Sequence, residues 1–198
     1  MLLEEELGKL LEAKGLTIAI AESCTGGLIQ KLISDVPGSS AYFVGGIVAY
    51  SNLLKQKLLN VSAQTLISYG AVSYEVAGEM ASGAREITGS DIGISTTGVA
   101  GPNGGTPDKP VGLVYIGVCS KEVLTAYRFW RKYQLFSIKL PIFLKLLLQI
   151  NFFAALFILN IRRIDININT CYMKYSFLII RKQLLHERSV NSTFCSKY

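Results

Sequence analysis

The sequence predicts an α/β domain, a three-layer α/β/α sandwich in which helices cover both faces of a mixed β-sheet. Two observations lead to this prediction. Over about the first 130 residues, short apolar runs alternate with segments whose apolar residues recur at helical spacing. All 18 glycines lie before residue 118, so the turn-forming residues separate these segments in this part of the chain only. Residues 131–198 have an atypical composition and are predicted to lie outside the domain.

The first half of the domain is predicted from apolar spacing and from turn residues. A helix whose leucines share one face can end at Gly15, since glycine readily adopts the left-handed conformation found after helices. The following β-branched and apolar run is typical of a buried strand. In order, the predicted elements are that first helix, a strand over 17–21, a helix with apolar residues at 28, 29, 32 and 33, a turn at 35–38, a strand over 43–50 and a helix that begins near Ser51 or Asn52.

The second half of the domain repeats this alternation. A longer helix is predicted after Ser73, because small and apolar residues recur on one side from Val76 to Ile87. About five strands are predicted in all, and a loop rich in glycine and proline follows the third. The last three strands are predicted over 91–96, 111–118 and 123–129.

Charge and cysteine content exclude several functional classes. The net charge of +6 lies in the tail: residues 1–130 hold 9 Lys+Arg and 12 Asp+Glu, net −3, and residues 131–198 hold 11 and 2, net +9. The domain therefore gives no reason to expect a nucleic-acid partner. The four cysteines form no C-x-x-C pair and the single histidine is His186, so neither a metal site nor a disulfide framework is predicted. We also expect no cofactor. The acidic N-terminus does not resemble a signal peptide, and we expect a cytoplasmic protein.

The tail after Trp130 admits three interpretations. The stretch 140–161 is long and apolar enough to span a bilayer, but Lys145 interrupts it, and a charge is costly at that depth. A native helical extension is the second interpretation. The third, which we favour, is a reading-frame slip, because the residues that dominate the tail are those that A/T-rich codons specify.

The segment 21–27, Ala-Glu-Ser-Cys-Thr-Gly-Gly, is the first candidate for chemistry, because it lies between a predicted strand and a predicted helix. Backbone N–H groups at a helix N-terminus favour an anion such as a phosphate or an oxyanion. The simpler interpretation is that Ser23 or Thr25 caps the helix and that Gly26 and Gly27 serve the turn. Both interpretations stay open from the pattern alone.

Lys55 is the second candidate. If Ser51 or Asn52 caps the helix, Lys55 falls in its first turn, where the helix dipole repels a cation. A lysine held there and partly desolvated should have a lowered pKa, as a general base for a serine requires. Serine–lysine pairs are a known variant of the serine–histidine arrangement, and the domain contains no histidine. A solvated surface lysine is the alternative.

The third candidate is the loop over 96–110, which contains four glycines and three prolines and follows a predicted strand. A loop of this composition can bring its backbone close to a ligand at the carboxyl end of a sheet. No Walker pattern and no G-x-G-x-x-G occurs, which argues against ATP and dinucleotides.

Together these segments resemble the C-terminal domain of CinA proteins and the related nicotinamide-mononucleotide deamidases. The resemblance rests on AESCTGG, DVPGSSAYF, GGIVAYSN with a lysine three residues later, GAVS, and TTGVAGPNGGTPDKPVGLVYIGV, in this order over about residues 15–130. It implies an α/β/α amidohydrolase domain over 1–130 that converts nicotinamide mononucleotide to nicotinate mononucleotide and ammonia without a metal. The expected partner is this small mononucleotide, and homo-oligomerisation is left open.

The resemblance also implies the site. In this family a serine and a lysine are thought to act with a tyrosine, and the matching residues are Ser40, Lys55 and Tyr50. Ser23 and Thr97 match further hydroxyl groups of the active site, and of the two serines we favour Ser40 as the nucleophile. Contacts to the substrate are expected from the segment 21–27 and from the glycine-rich loop, at Thr25, Gly26, Gly27, Gly98, Gly101, Gly104 and Gly105.

The sequence departs from the family pattern after Trp130. There the pattern would continue with a Gly-Asp-Arg turn, whose arginine belongs to the site, and with a closing amphipathic helix; neither is recognisable here. The alternative function is therefore a catalytically impaired nucleotide-binding module of the same fold.

Overall fold

The computed structural model describes residues 2–130 of the 198-residue chain. The predictions for the tail, including the frame slip, the span over 140–161 and the missing arginine turn, lie outside the described residues. The described helices are α1 (Leu3–Lys14), α2 (Leu28–Ser34), α3 (Asn52–Leu59), α4 (Ala63–Tyr69) and α5 (Tyr74–Thr88), with a 3-10 turn at Ser39–Ala41. The described strands are β1 (Ile18–Glu22), β2 (Phe43–Val48), β3 (Ile92–Gly98), β4 (Leu113–Cys119) and β5 (Leu124–Trp130).

The five strands form one mixed sheet in the order β2-β1-β3-β4-β5. Strands β2, β1 and β3 are parallel, whereas β4 pairs antiparallel with both β3 and β5. The predicted α/β class with a mixed sheet is confirmed.

Each face of the sheet carries its own hydrophobic core. On one face, isoleucines of β1 and β3 pack with residues of α1 and α2, among them Ile18, Ile20, Ile29, Ile33, Ile92 and Ile94. On the other face, the small residues Ala19 and Ala21 leave room for α3 and α5, which contribute Leu59, Val76, Met80 and Ala84. Because side chains alternate along a strand, β1 is buried on both faces, as the β-branched and apolar run 17–21 predicts.

Helix α4 is absent from the sequence prediction. Its segment AQTLISY shows little apolar periodicity, and Leu66 is its one buried residue. The helix begins at the cap Ser62, whose hydroxyl accepts from the N–H groups of Gln64 and Thr65. Glu79 of α5 accepts from the Ser62 N–H and the Thr65 hydroxyl, so a tertiary contact stabilises the start of this helix. Within residues 2–130, none of the helices has both the length and the apolar character that a membrane crossing needs.

Candidate functional site

The three parallel strands end together at one edge of the sheet. Glu22, the last residue of β1, pairs with Val48 of β2 and with Thr96 of β3. The next residue after Glu22 is Ser23, whose N–H donates to the Thr96 carbonyl at 3.0 Å. The carboxyl end of a parallel sheet is where ligands commonly bind, so this edge is the candidate site.

Lys55 reaches this edge from α3. The hydroxyl of Ser51 accepts from the Leu54 N–H and caps the helix, so Lys55 lies close to the helix N-terminus, as the sequence predicts. Its side chain is only 1% exposed, and its Nζ lies 2.9 Å from Ser23 Oγ. The same nitrogen donates to the carbonyl oxygens of Ala49 at 2.9 Å and Tyr50 at 3.2 Å. The structure therefore forms a buried serine–lysine pair.

The surroundings of Lys55 favour its neutral form. Burial lowers the pKa of Lys55 below its ordinary value of 10.5, because desolvation disfavours the ammonium ion. Among residues 2–130, no carboxylate forms an ion pair with it. A neutral amine has two N–H donors and one lone pair. In the structure Nζ donates to Ser23 Oγ and to both carbonyl oxygens. When the amine is neutral and keeps the two carbonyl contacts, its lone pair is available to accept the Ser23 proton.

Cys24 follows Ser23 in the chain, but its thiol is not activated as a nucleophile. Burial raises the pKa of its thiol from 9.0 to about 12, and the nearby Glu22 carboxylate adds to this. The thiolate, rather than the thiol, is the reactive form of cysteine. At neutral pH Cys24 is therefore a protonated side chain next to Ser23.

The glycines that follow Cys24 do not present free amides to an anion, contrary to one of the two predictions for this segment. The Glu22 carboxylate accepts from the N–H groups of Gly27 at 3.0 Å, Ile29 at 3.3 Å and Gln30 at 2.8 Å. The Gly26 N–H donates to the Ser23 carbonyl. Gly26 and Gly27 both adopt positive φ angles, of 63° and 98°, so their role is to turn the backbone.

Two members of the predicted catalytic set are placed differently from the prediction. Ser40 lies in the exposed 3-10 turn that precedes β2, at the amino edge of the parallel strands, so the expected Ser40–Lys55 contact is not formed. The reason is the direction of β2, which separates Ser40 from Lys55 by the length of the strand. Tyr50 contacts Lys55 through its main-chain carbonyl, while its side chain is 77% exposed.

The two predicted threonines lie at the carboxyl edge, where Thr25 supports the segment around Ser23 and Thr97 supports a different loop. The hydroxyl groups of Thr25 and Thr96 are 2.7 Å apart. Thr97 is buried, and its hydroxyl donates to the Ala71 carbonyl at 2.7 Å, in the connection between α4 and α5. Thr97 thus fixes a loop, and Thr96, which the sequence prediction did not include, holds Thr25.

The predicted loop residues of the third candidate divide into two groups. Gly98 ends β3, and a side chain there would collide with the Leu113 carbonyl, so this glycine serves strand packing. Gly101, Gly104 and Gly105 lie in the loop itself, which is largely exposed. Lys109 anchors the loop, because its Nζ donates to the Tyr69 carbonyl at 2.6 Å. The contact of these glycines with a substrate remains a prediction.

Glu22 is the main residue of this edge that the sequence prediction missed. It is 0% exposed, although it is charged, and it engages three backbone amides. A signal was present in the sequence: an acidic residue directly follows the β-branched and apolar run 17–21, where a buried strand is predicted. A buried carboxylate is stable only with hydrogen-bond donors around it, so an acidic residue at this position predicts that N–H or O–H groups surround it. Within the described part of the chain, no cluster of three His, Cys, Asp or Glu side chains could hold a metal ion.

These features define an α/β domain with a buried serine–lysine pair at the carboxyl edge of its parallel strands. The chain belongs to the CinA C-terminal domain family, whose model matches residues 2–135.

Curated relatives and solved structures agree with this membership. A CinA-like protein from Chloroherpeton thalassium is 58% identical over 129 residues, which cover 65% of this chain and 31% of the relative. A CinA-like protein from Desulforapulum autotrophicum is 54% identical over 127 residues, covering 64% and 30%. The chain thus spans less than a third of the length of these relatives.

Solved structures extend the likeness to the fold. The competence damage-inducible protein A of Klebsiella pneumoniae superposes with a TM-score of 0.70 at 30% identity, over 75% of this chain and 91% of that one. The competence/damage inducible protein CihA of Agrobacterium tumefaciens gives a TM-score of 0.69 at 33% identity, over 76% and 94%.

Proposed function

We propose that this chain is an amidohydrolase that converts the carboxamide of nicotinamide mononucleotide to the carboxylate of nicotinate mononucleotide, with release of ammonia. The observation that carries the reaction class is the buried contact of 2.9 Å between Lys55 Nζ and Ser23 Oγ. The resemblance of the sequence to the deamidases supports the choice of substrate. Ser23 replaces Ser40 as the proposed nucleophile, because Ser23 is the serine that Lys55 contacts.

In the first half of the proposed reaction, Lys55 acts as the general base. Its neutral amine accepts the hydroxyl proton while Ser23 Oγ bonds to the amide carbon. The carbonyl oxygen of the substrate becomes an oxyanion in the tetrahedral intermediate. When this collapses, the C–N bond breaks, the Lys55 ammonium returns its proton to the leaving nitrogen, and ammonia departs. An ester between Ser23 and the nicotinoyl group remains.

In the second half, a water molecule takes the place of the serine. Lys55 accepts a proton from the water as its oxygen attacks the ester carbon. Collapse of the second tetrahedral intermediate breaks the bond to Ser23 Oγ, and the proton on Lys55 returns to the serine. The product is the carboxylic acid, which ionises at neutral pH, and both side chains are back in their starting states.

The oxyanion and the nucleotide need separate donors. The backbone N–H groups of Cys24 and Thr25 directly follow Ser23 and are not among the three that Glu22 engages, so we assign the oxyanion to them. Because the N–H groups at the start of α2 are occupied, we assign the phosphate to the glycine-rich loop, which connects β3 to β4. The exposed phenol of Tyr50 is at the same edge and is assigned to the pyridine or ribose.

The test is turnover of nicotinamide mononucleotide by the full chain in water enriched in heavy oxygen. We expect release of ammonia with one heavy oxygen in the product carboxylate, because hydrolysis takes that atom from solvent. Nicotinamide itself, which lacks the ribose phosphate, serves as the matched control substrate. Binding of the mononucleotide without any release of ammonia would contradict the proposal and leave a nucleotide-binding module.

A further inference from the structure

We infer that Glu22 is a positioning residue that sets the geometry of the Ser23–Lys55 pair; this rests on the proposed serine–lysine chemistry, though not on the identity of the substrate. Glu22 touches neither side chain of the pair directly in the hydrogen bonds of the described residues. It acts through three connections that involve the backbone: one to the start of α2, one to Lys55 through Ala49, and one to Thr96 of β3.

The first connection is to the helix that follows Ser23. Helix α2 has Gly27 at its cap position, and glycine offers no side chain to accept the first N–H groups. The Glu22 carboxylate, from the strand before the turn, accepts three of them instead. One side chain therefore holds the end of β1 against the start of α2, and the turn that carries Ser23 is fixed at both of its ends.

The second connection is to Lys55. The main-chain carbonyl of Glu22 accepts from the Ala49 N–H at 2.8 Å. The carbonyl of the same Ala49 accepts from Lys55 Nζ at 2.9 Å. Glu22 thus precedes the serine in the chain and, through Ala49, orients the amine that contacts it. The third connection is the pairing of Glu22 with Thr96 of β3, next to the N–H of Ser23 that donates to the Thr96 carbonyl.

The burial of a carboxylate at this position needs an explanation beyond ordinary stability. Glu22 is 0% exposed, and the removal of a carboxylate from water is unfavourable unless hydrogen-bond donors replace the water. Serine, threonine, aspartate or asparagine at the Gly27 position would cap a helix locally without burying a charge. Gly27, however, has a φ angle of 98°, which side chains rarely adopt. The backbone conformation of the turn after Ser23 therefore disfavours a capping side chain at position 27. Glu22, at the end of β1, supplies the acceptor instead.

The experiment compares Glu22→Gln with Glu79→Gln in the full chain. Glutamine keeps the size of the side chain but can accept with one oxygen only, so it cannot satisfy all three amides. Glu79 is the matched control, since it also accepts from an N–H at the start of a helix, α4, but its hydrogen bonds within residues 2–130 are to Ser62 and Thr65 and not to the pair. The main readout is the rate at which a fluorophosphonate probe labels Ser23, measured in folded protein by mass spectrometry of tryptic peptides. Cleavage after Lys31 separates Ser23, in peptide 15–31, from Ser40, in peptide 32–55.

We expect Glu22→Gln to slow this labelling by about 10- to 100-fold, because small displacements of reacting groups have effects of that size. Glu79→Gln should change it by less than about threefold at comparable thermal stability. With nicotinamide mononucleotide, Glu22→Gln should lower kcat and leave KM nearly unchanged. If Glu22→Gln does not fold, Glu22→Asp, which keeps the charge and shortens the reach, carries the same test.

Folded Glu22 variants that are labelled at the wild-type rate would overturn the inference, as would equal slowing in Glu79→Gln. A wild-type chain whose Ser23 is not labelled at all would also overturn it, since there would be no activated serine to position. Labelling of Ser23 without turnover of nicotinamide mononucleotide would contradict the proposed substrate and leave the inference standing.

Discussion

Lys55 Nζ lies 2.9 Å from Ser23 Oγ, although 32 residues separate the two along the chain. Parallel pairing of β1 with β2 brings them together, because the two strands end at the same edge and α3 begins shortly after β2. The lysine is buried with two main-chain carbonyl oxygens and without a counter-ion in the described part of the chain. Burial without a counter-ion favours the neutral amine, which can accept the serine proton.

Replacement of Lys55 by arginine should abolish turnover. Arginine keeps the positive charge at every accessible pH, so it cannot accept a proton, and its planar head does not fit the three contacts of Nζ. We expect kcat to fall by about 10²- to 10⁴-fold, the usual contribution of a general base. Lys57→Arg, on the exposed side of the same helix, should leave ammonia release near the wild-type rate. Near-normal activity of Lys55→Arg would remove the lysine from the mechanism.

The activity should depend on pH through Lys55. Burial lowers its pKa below 10.5, and the neutral form is the active one. The rate constant kcat/KM should therefore rise as pH increases through the lowered pKa and level off above it. The measurement is a pH profile of ammonia release, over a range in which circular dichroism shows the protein to be folded. A rate that falls over this rise in pH would show that the ammonium form is required.

Asp91 should make stability depend on acid pH. Its carboxylate accepts from the backbone N–H and the hydroxyl of Thr17, both at 2.8 Å, and these bonds lower the pKa of Asp91 below 3.8. Because the folded pKa is lower than the unfolded one, the stabilisation is present above the unfolded pKa and is lost as pH falls through the folded one.

The variant Asp91→Asn should accordingly lower Tm at pH 7, and the difference from wild type should shrink as pH falls below about 4. Asp108→Asn, in the exposed glycine-rich loop, is the control and should change Tm little at either pH. Thermal unfolding followed by circular dichroism measures both variants. If the Tm of Asp91→Asn lies below that of the wild type by the same amount at pH 7 and at acid pH, the loss of stability does not come from the carboxylate charge.

The sequence predicts most of the fold because its strong signals are local. The apolar run that becomes β1 and the small and apolar stripe of α5 are visible in single segments. Helix α4 is different, since its start depends on Glu79, 17 residues after Ser62, and one segment cannot show such a contact. Strand order and direction are also tertiary, and they decide which side chains meet.

The sequence predicts most residues of the candidate site, but it does not predict which serine contacts Lys55. The sequence alone indicates the lysine close to the N-terminus of α3, the candidate serines and the glycine-rich turns. Whether Lys55 meets Ser23 or Ser40 depends on which edge of the sheet each serine occupies, and that follows from the direction of β2. The hydrogen bonds from the start of α2 to the Glu22 carboxylate are also not predictable from one segment, because they depend on how β1 and α2 approach each other.

The most direct measurement of the central claim is the location of the acyl group in the reacting enzyme. The full chain is mixed with nicotinamide mononucleotide, quenched in acid within one turnover, digested with trypsin and analysed by mass spectrometry. We predict the nicotinoyl ester on peptide 15–31, which contains Ser23, and its loss in Ser23→Ala. An ester on peptide 32–55, which contains Ser40, or undiminished turnover by Ser23→Ala would contradict this account.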